Sequence, residues 1–277
     1  MKTIAQRRED FRNLHARGCF VIPNPWDVGS ARMLAGMGFK ALASTSSGFA
    51  WSQGVPDYGA PRAAVLEHLR MLVEATDLPV NADFESGYAE KPEGVAESVR
   101  MAIDAGVAGL SIEDSTGLDE GDPIRPLDEA VARLRAARRA IDESRSSVLL
   151  VGRCENFWLG KPELDDTLRR LKAYSEAGAD CLYAPAVRTE AEITAIVRAV
   201  APKPVNVLIG GESKFTVKDM EALGVRRISV GGGLARAAWG GFFRAARTLA
   251  QDGRFDGFAG AALGKELNDF FAKARTP

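Results

Sequence analysis

Histidine is nearly absent from this chain: His15 and His68 are the only two in 277 residues. A histidine-based catalytic triad or a zinc site needs such residues converging from strand ends or turns, so both classes lack their parts. Cysteine is scarce as well. Cys19, Cys154 and Cys181 are odd in number, far apart and set in or beside apolar runs, which predicts reduced core thiols rather than a disulfide framework. No apolar stretch reaches the roughly 18 residues of a membrane span. The first ten residues, Met1 to Asp10, contain acids and no apolar leader core, so the expected compartment is the cytoplasm. An excess of one charge is also missing. The formal charge is −1, from 36 Lys+Arg against 37 Asp+Glu, with the two signs interspersed. That balance speaks against nucleic acid or an anionic membrane and for a small neutral or anionic metabolite as partner. No Pro/Ser-rich linker or charge block divides the chain, so residues 1–277 are expected to form a single domain.

What the sequence does contain is a strand–helix alternation repeated about eight times. The candidate strands are residues 19–22, 41–44, 80–83, 109–113, 148–152, 181–184, 205–208 and 228–230. Helical periodicity runs through 28–37, 62–76, 92–105, 127–144, 163–177, 189–200, 216–223 and 234–251. Gly38, Gly106, Gly178 and Gly224 stand where helices must stop before the next buried strand. Alternation of this kind implies a parallel sheet, and eight units close naturally into a (β/α)8 TIM barrel. An open doubly wound sheet is the rival, since periodicity does not show closure. The absence of Gly-x-Gly-x-x-Gly after the first strand counts against its dinucleotide-binding form.

The chemistry sits at the strand ends. The run from Pro79 to Tyr88 ends a β-branched segment in polar and acidic residues and then glycine. Asn81 and Asp83 alternate along one strand and so share a face, where oxygen donors suit a hard cation such as Mg2+. Glu85 lies beyond the strand and is expected nearer solvent. Glu113 and Asp114 face opposite ways, and Glu113 is the expected metal ligand. Arg153 follows another apolar run and offers paired donors for a carboxylate, with an ion pair to Glu155 as the structural alternative. Thr45-Ser-Ser-Gly48 reads as a small polar turn whose Thr45 and Ser47 hydroxyls and Gly48 backbone suit an anion. Gly54-Val-Pro-Asp57 can return Asp57 to the same mouth, and Asn206 ends a later strand as a further substrate contact. Arg153, Glu113 and Asp57 form the expected catalytic set. Residues 255–275 carry Leu263, Leu267, Phe270 and Phe271 on one helical face, which must be buried on its own barrel or on a neighbour.

Taken together, Thr45 to Gly48, Gly54 to Asp57, Asn81-Ala-Asp83 with Gly87-Tyr88, Ser111-Ile-Glu-Asp114 and Gly152-Arg153 resemble the isocitrate lyase/phosphoenolpyruvate mutase superfamily. The resemblance extends from Pro23 to Gly233. It implies a (β/α)8 barrel that exchanges its final helices between subunits of a homodimer or homotetramer. It also implies Mg2+ held by the acids and a 2-oxo acid, dicarboxylate or enolate as the bound species. By the same resemblance, Ser47 and Gly48 hold the substrate carboxylate and oxo group, Asp57, Asp83 and Glu113 hold Mg2+ or its waters, and Arg153 binds substrate.

Two departures narrow the activity. Asn81 replaces the usual first aspartate, removing a negative charge that Asn81→Asp is expected to restore to the metal site. The Lys-Lys/Arg-Cys-Gly-His loop of isocitrate and methylisocitrate lyases is missing, since residues 114–126 contain neither cysteine nor histidine. Thr116, Asp119 and Asp122 are the polar residues left to replace its acid/base, and a solvated acidic loop is the simpler reading. The expectation is a Mg2+-dependent carbon–carbon lyase of the oxaloacetate decarboxylase kind. A carbon–phosphorus enzyme and a non-catalytic 2-oxo acid binder are the alternatives.

Overall fold

The computed structural model describes residues 2–117 and 121–273. Asp119 lies outside the described residues. The strands are β1 (Phe20–Ile22), β2 (Leu42–Ala43), β3 (Val80–Asp83), β4 (Gly109–Glu113), β5 (Leu149–Arg153), β6 (Cys181–Tyr183), β7 (Val205–Leu208) and β8 (Arg227–Ser229). All pair in parallel in one sheet, ordered β1-β8-β7-β6-β5-β4-β3-β2. The two ends of that order meet. Ala43 N–H donates to Pro23 O over 3.0 Å, and Asn24 Nδ2 donates to Ser44 O over 2.8 Å. Asn24 Oδ1 accepts from Val230 N and Gly231 N at 2.9 and 2.8 Å, so one side chain stitches β8 to the β1–β2 seam. The sheet is a (β/α)8 TIM barrel, and the open-sheet rival is excluded.

Helices α1 (Ile4–Ala16), α2 (Val28–Gly36), α3 (Ser46–Ser52), α4 (Arg62–Ala75), α5 (Pro92–Asp104), α6 (Leu127–Ser144), α7 (Leu164–Glu176), α8 (Glu190–Val200) and α9 (Val217–Ala222) accompany the strands. Their buried faces carry Leu69, Leu72, Val99, Leu134, Ile141 and Leu171 against the outer side of the sheet. Each such side chain stabilises the fold by roughly 1.5–3 kcal/mol when removed from water. The four helix-ending glycines lie at φ +88°, +91°, +103° and +85°, the left-handed region that stops a helix.

Two helices escape the periodicity reading. In α1 only a few apolar residues stand among many charges. Its helix is fixed by a Thr3–Gln6 capping box, Phe11 in a small apolar cluster with Ile22, Ala41, Ala108 and Leu149, and Arg7 bonded to Val73 O and Asp77. The other is α3, where the expected polar turn is instead a helix start: Thr45 is the N-cap and its hydroxyl accepts from Gly48 N at 3.2 Å.

After β8 come α10 (Gly233–Asp252) and α11 (Gly264–Lys273). Within the single chain α11 lies on α2: a Cβ added to Gly36 would stand 2.6 Å from Phe270 Cζ, so glycine lets the ring seat there. The greater apolar exposure belongs to α10, which buries only Ala235 and leaves Phe242 59% exposed. No helix among the described residues is long and apolar enough to cross a membrane.

Candidate active site

Parallel register aligns Glu113, Arg153, Tyr183, Asn206 and Arg227 in one row across β4 to β8. Neighbours in such a row share a face of the sheet, and all five are directed inward. Four of them are nearly inaccessible polar residues or Tyr183, and Arg153 is 13% exposed. Above the row opens a cavity of about 80 Å3, lined among others by Thr45, Ser46, Ser47, Asp57, Tyr58, Asn81, Asp83, Arg153, Trp158 and Arg227. A buried water needs on the order of 10–15 Å3 by this measure, so the space holds several waters or a small acid. Neither cysteine nor histidine is among its described lining residues.

Arg153 organises the acids. Its Nε and Nη2 fork onto Glu155 at 2.5 and 3.2 Å, while Nη1 stands 3.1 Å from both Asp83 Oδ1 and Glu113 Oε2. The ion pair with Glu155 is therefore present, and the arginine joins two further carboxylates. Its ring neighbour is Tyr183, 5.2 Å from Cζ to centroid. Burial pulls the Arg153 pKa down, but Glu113 and Glu155 outweigh it and push it well above the usual value. Burial raises the Glu113 and Glu155 carboxyls while Arg153 opposes the rise.

Asp83 Oδ2 accepts from the Ser46 backbone N and hydroxyl, each at 3.0 Å. The sequence pattern points to Thr45, Ser47 and Gly48 for the anion contact and gives no signal for Ser46, which instead holds Asp83. Ser47 Oγ lies 3.2 Å from Thr45 Oγ1 and lines the cavity. Gly48 is glycine for want of space: a Cβ there would meet Thr45 Cγ2 at 2.6 Å and Trp26 Cβ at 3.2 Å. Its N–H is taken by the Thr45 cap, which corrects the expectation of a freely oriented donor. Asp57 does return to the mouth. Burial and then the Asp83 charge raise its pKa, and its Oδ1 accepts from Tyr58 N at 3.1 Å.

Glu113 and Asp114 do part company. Glu113 faces the barrel, accepting from Tyr58 at 2.5 Å, whereas Asp114 faces the helical layer, bonded to Tyr174, Arg170 and Glu155 N. Glu85 is not solvent-facing. It is 8% exposed, and burial raises its pKa to about 7. The carboxamide of Asn81 is occupied elsewhere than expected: Oδ1 accepts from Arg227 Nη1 at 3.3 Å and Nδ2 donates to Ala82 O at 3.1 Å. An aspartate there would meet Arg227 first, so the expected gain in metal affinity from Asn81→Asp loses its geometric basis. Asn206 spends its carboxamide on Ser229 Oγ and Arg227 Nε, at 2.9 and 2.8 Å. His15 and His68 lie in helices, away from the cavity lining.

A family model described as phosphoenolpyruvate phosphomutase matches residues 11–250. The chain belongs to that family. It is an enzyme of the isocitrate lyase/phosphoenolpyruvate mutase superfamily, whose named members are lyases and mutases. A crystal structure from Burkholderia cenocepacia J2315, whose name offers lyase or mutase without choosing, shares 48% identity over 97% of both chains with a TM-score of 0.93. An uncharacterized Mycobacterium tuberculosis protein is 33% identical over 225 residues, 80% of this chain and 81% of its own length. An oxaloacetate decarboxylase of Bradyrhizobium diazoefficiens is 30% identical over 200 residues, 70% of this chain and 68% of its own.

Besides Ser46, Tyr58 and Arg227 line the cavity without a signal in the sequence pattern read above. Tyr58 follows the singled-out Asp57 directly and holds a left-handed φ of +60°. Apolar content starts the last strand at Ile228, whereas β8 begins one residue earlier, at Arg227. Strand alternation from Ser229 back to Arg227 was the signal that could have found it.

Proposed function

We propose that the chain is a Mg2+-dependent carbon–carbon lyase acting on a small 2-oxo acid through an enolate, with oxaloacetate decarboxylation as its simplest form. One observation supports this above others: Asp83, Glu113 and Glu155 gather around Arg153, with Asp57 nearby, beside a small cavity whose described lining residues include no thiol or imidazole. Such a site suits substrate and metal chelation better than nucleophilic catalysis.

The donors fit a hard divalent ion held partly through water. Asp57 and Asp83 repel one another, and a cation near them relieves that repulsion. No three Asp, Glu, His or Cys side chains converge as ligands among the described residues; the reading calls for an ion that retains several waters and takes one or two carboxylates. When bound, Mg2+ supplies Lewis acidity that stabilises enolate charge. Ser46 orients Asp83, Arg153 holds Asp83 and Glu113 apart at fixed places, and Tyr58 fixes Glu113. In decarboxylation the bond between C3 and the departing carboxylate breaks, carbon dioxide leaves, and C3 takes up a proton. No strong base is needed to start that step, which agrees with a loop lacking cysteine and histidine.

The test is turnover of oxaloacetate, pyruvate, 2-oxoglutarate and phosphonopyruvate with Mg2+ or with a chelator. Metal-dependent loss of oxaloacetate with release of pyruvate is the expected result. Turnover of phosphonopyruvate alone transfers the chain to carbon–phosphorus chemistry, and no turnover of any of the four overturns the reading. We infer in addition a homodimer or a tetramer of dimers, in support of which stands the exposed apolar face of α10.

A further inference from the structure

Arg227 is a guanidinium buried inside the barrel with no carboxylate paired to it among the described residues. It is 3% exposed, starts on β8 and reaches across the interior to Asn81 on β3. Its hydrogen-bond acceptors are two neutral carboxamides, Asn206 Oδ1 at 2.8 Å and Asn81 Oδ1 at 3.3 Å. No acid stands within ion-pair distance of it among the described residues. Burial pulls its pKa down, and the groups that favour its charge are the Cys181 thiol and the Tyr183 phenol, both themselves kept protonated by burial.

Other buried arginines are compensated. Arg133 donates to three backbone carbonyls, of Ser86, Ala89 and Glu90, with Glu129 at 3.7 Å. Arg170 pairs with Asp114 and Asp166, and Arg153 shares its charge among three carboxylates. A buried charge without a counter-charge is costly and persists where something compensates it. Arg227 alone of these faces the cavity with no acid attached to it.

Its place along the barrel gives the compensating group a position. Arg227 touches Asn81, and Asp83 lies two residues further up the same strand, roughly 6–7 Å at about 3.3 Å per residue. The cavity thus carries charge at both ends, with carboxylates and Arg153 at the mouth and an uncompensated cation at the floor. That separation matches a short diacid standing upright, one end at the mouth and the other below.

We propose that Arg227 receives the second carboxylate of the substrate, which makes the substrate a dicarboxylic rather than a monocarboxylic 2-oxo acid. This rests on the 2-oxo acid reading of the same pocket and names its substrate class. Asn206 and Ser229 act as positioning residues that hold the guanidinium beneath the cavity.

The experiment is calorimetric binding of oxaloacetate, malonate and pyruvate, with Mg2+ present, to the assembled protein and to two variants. Arg227→Gln removes the cation and should weaken both dicarboxylates by about tenfold or more while changing pyruvate less than about twofold. Asn81→Asp supplies an internal counter-charge with the barrel intact, and should produce the same selective loss even where Arg227→Gln does not fold. Equal losses for pyruvate and the dicarboxylates, or unchanged dicarboxylate binding in the folded variants, overturn the inference. If the wild-type protein turns over no 2-oxo acid yet still loses malonate selectively in the variants, the lyase reading falls and the carboxylate site stands. Absence of malonate and oxaloacetate binding in the wild-type protein removes the site as well.

Discussion

Tyr58 and Glu113 meet across the barrel mouth: the phenol donates to Glu113 Oε1 over 2.5 Å from a backbone held at φ +60°. The ring also packs on Gly117, where an added Cβ would stand 3.1 Å from Tyr58 Cδ1, and its hydroxyl lies 3.3 Å from Ser115 Oγ. One side chain therefore ties the Asp57 loop to the segment after β4. Tyr58→Phe keeps the ring and removes the tie. The expected result is a fall in kcat on the order of tenfold, about 1.4 kcal/mol of transition-state stabilisation, with much less change in KM. Unchanged kcat would leave Tyr58 as packing only.

Asp83 is the acid best placed for the metal, since Ser46 and Arg153 hold both its oxygens in a fixed orientation. Asp83→Ala should abolish metal-dependent turnover while the circular dichroism spectrum stays native. Titration calorimetry with Mg2+ decides the assignment, and wild-type affinity in the variant removes Asp83 from it.

Arg153→Lys retains charge and loses the fork onto Glu155, a residue with no solvent exposure. Losing a hydrogen bond to a buried charged group costs roughly 1.5–3 kcal/mol. Thermal unfolding should therefore begin several degrees lower, and affinity for a 2-oxo acid should fall with it. Lower stability at full affinity would confine Arg153 to holding the acids in place.

The two histidines make the fold sensitive to acid. Burial, reinforced by Arg227, lowers the His15 pKa to about 3, and burial lowers that of His68 to about 4. Both lie below the unfolded value near 6.5, so the unfolded chain binds protons that the folded chain refuses. Their contribution is complete above pH 6.5 and is lost as pH falls toward 4 and then 3. His15→Phe suits the ring contacts to Phe11 and Phe20 and should flatten the drop in urea midpoint between pH 7 and pH 5. An equal drop in the variant would show that His15 is not part of it.

The apolar face of α10 and residues 255–273 predict assembly. Phe242, Phe243 and Leu249 on α10, with Phe255 and Leu263 beyond it, are all exposed in the single chain. Light scattering should give a dimer or tetramer at micromolar concentration, and deleting residues 255–277 should cause aggregation or loss of assembly. A monomeric intact protein excludes helix exchange between subunits.

The order of strands and helices, the inward alternation of Asn81 with Asp83, and the opposite facing of Glu113 and Asp114 are local properties. They follow from period-two and period-3.6 patterns written along the chain, and the barrel follows from eight such units. Helix α1 broke the pattern because its burial rests on Arg7 and Phe11 meeting distant partners, and α3 because a Thr45 cap is locally the same as a polar turn. What only the tertiary structure decided are pairings across the barrel. Arg153 joins Glu155, two residues on, to Asp83 and Glu113 on other strands, and Arg227 reaches Asn81 across a separation of 146 positions. Sequence spacing carries no record of which inward side chains share one cavity, because closure and strand stagger set those distances after every local choice has been made.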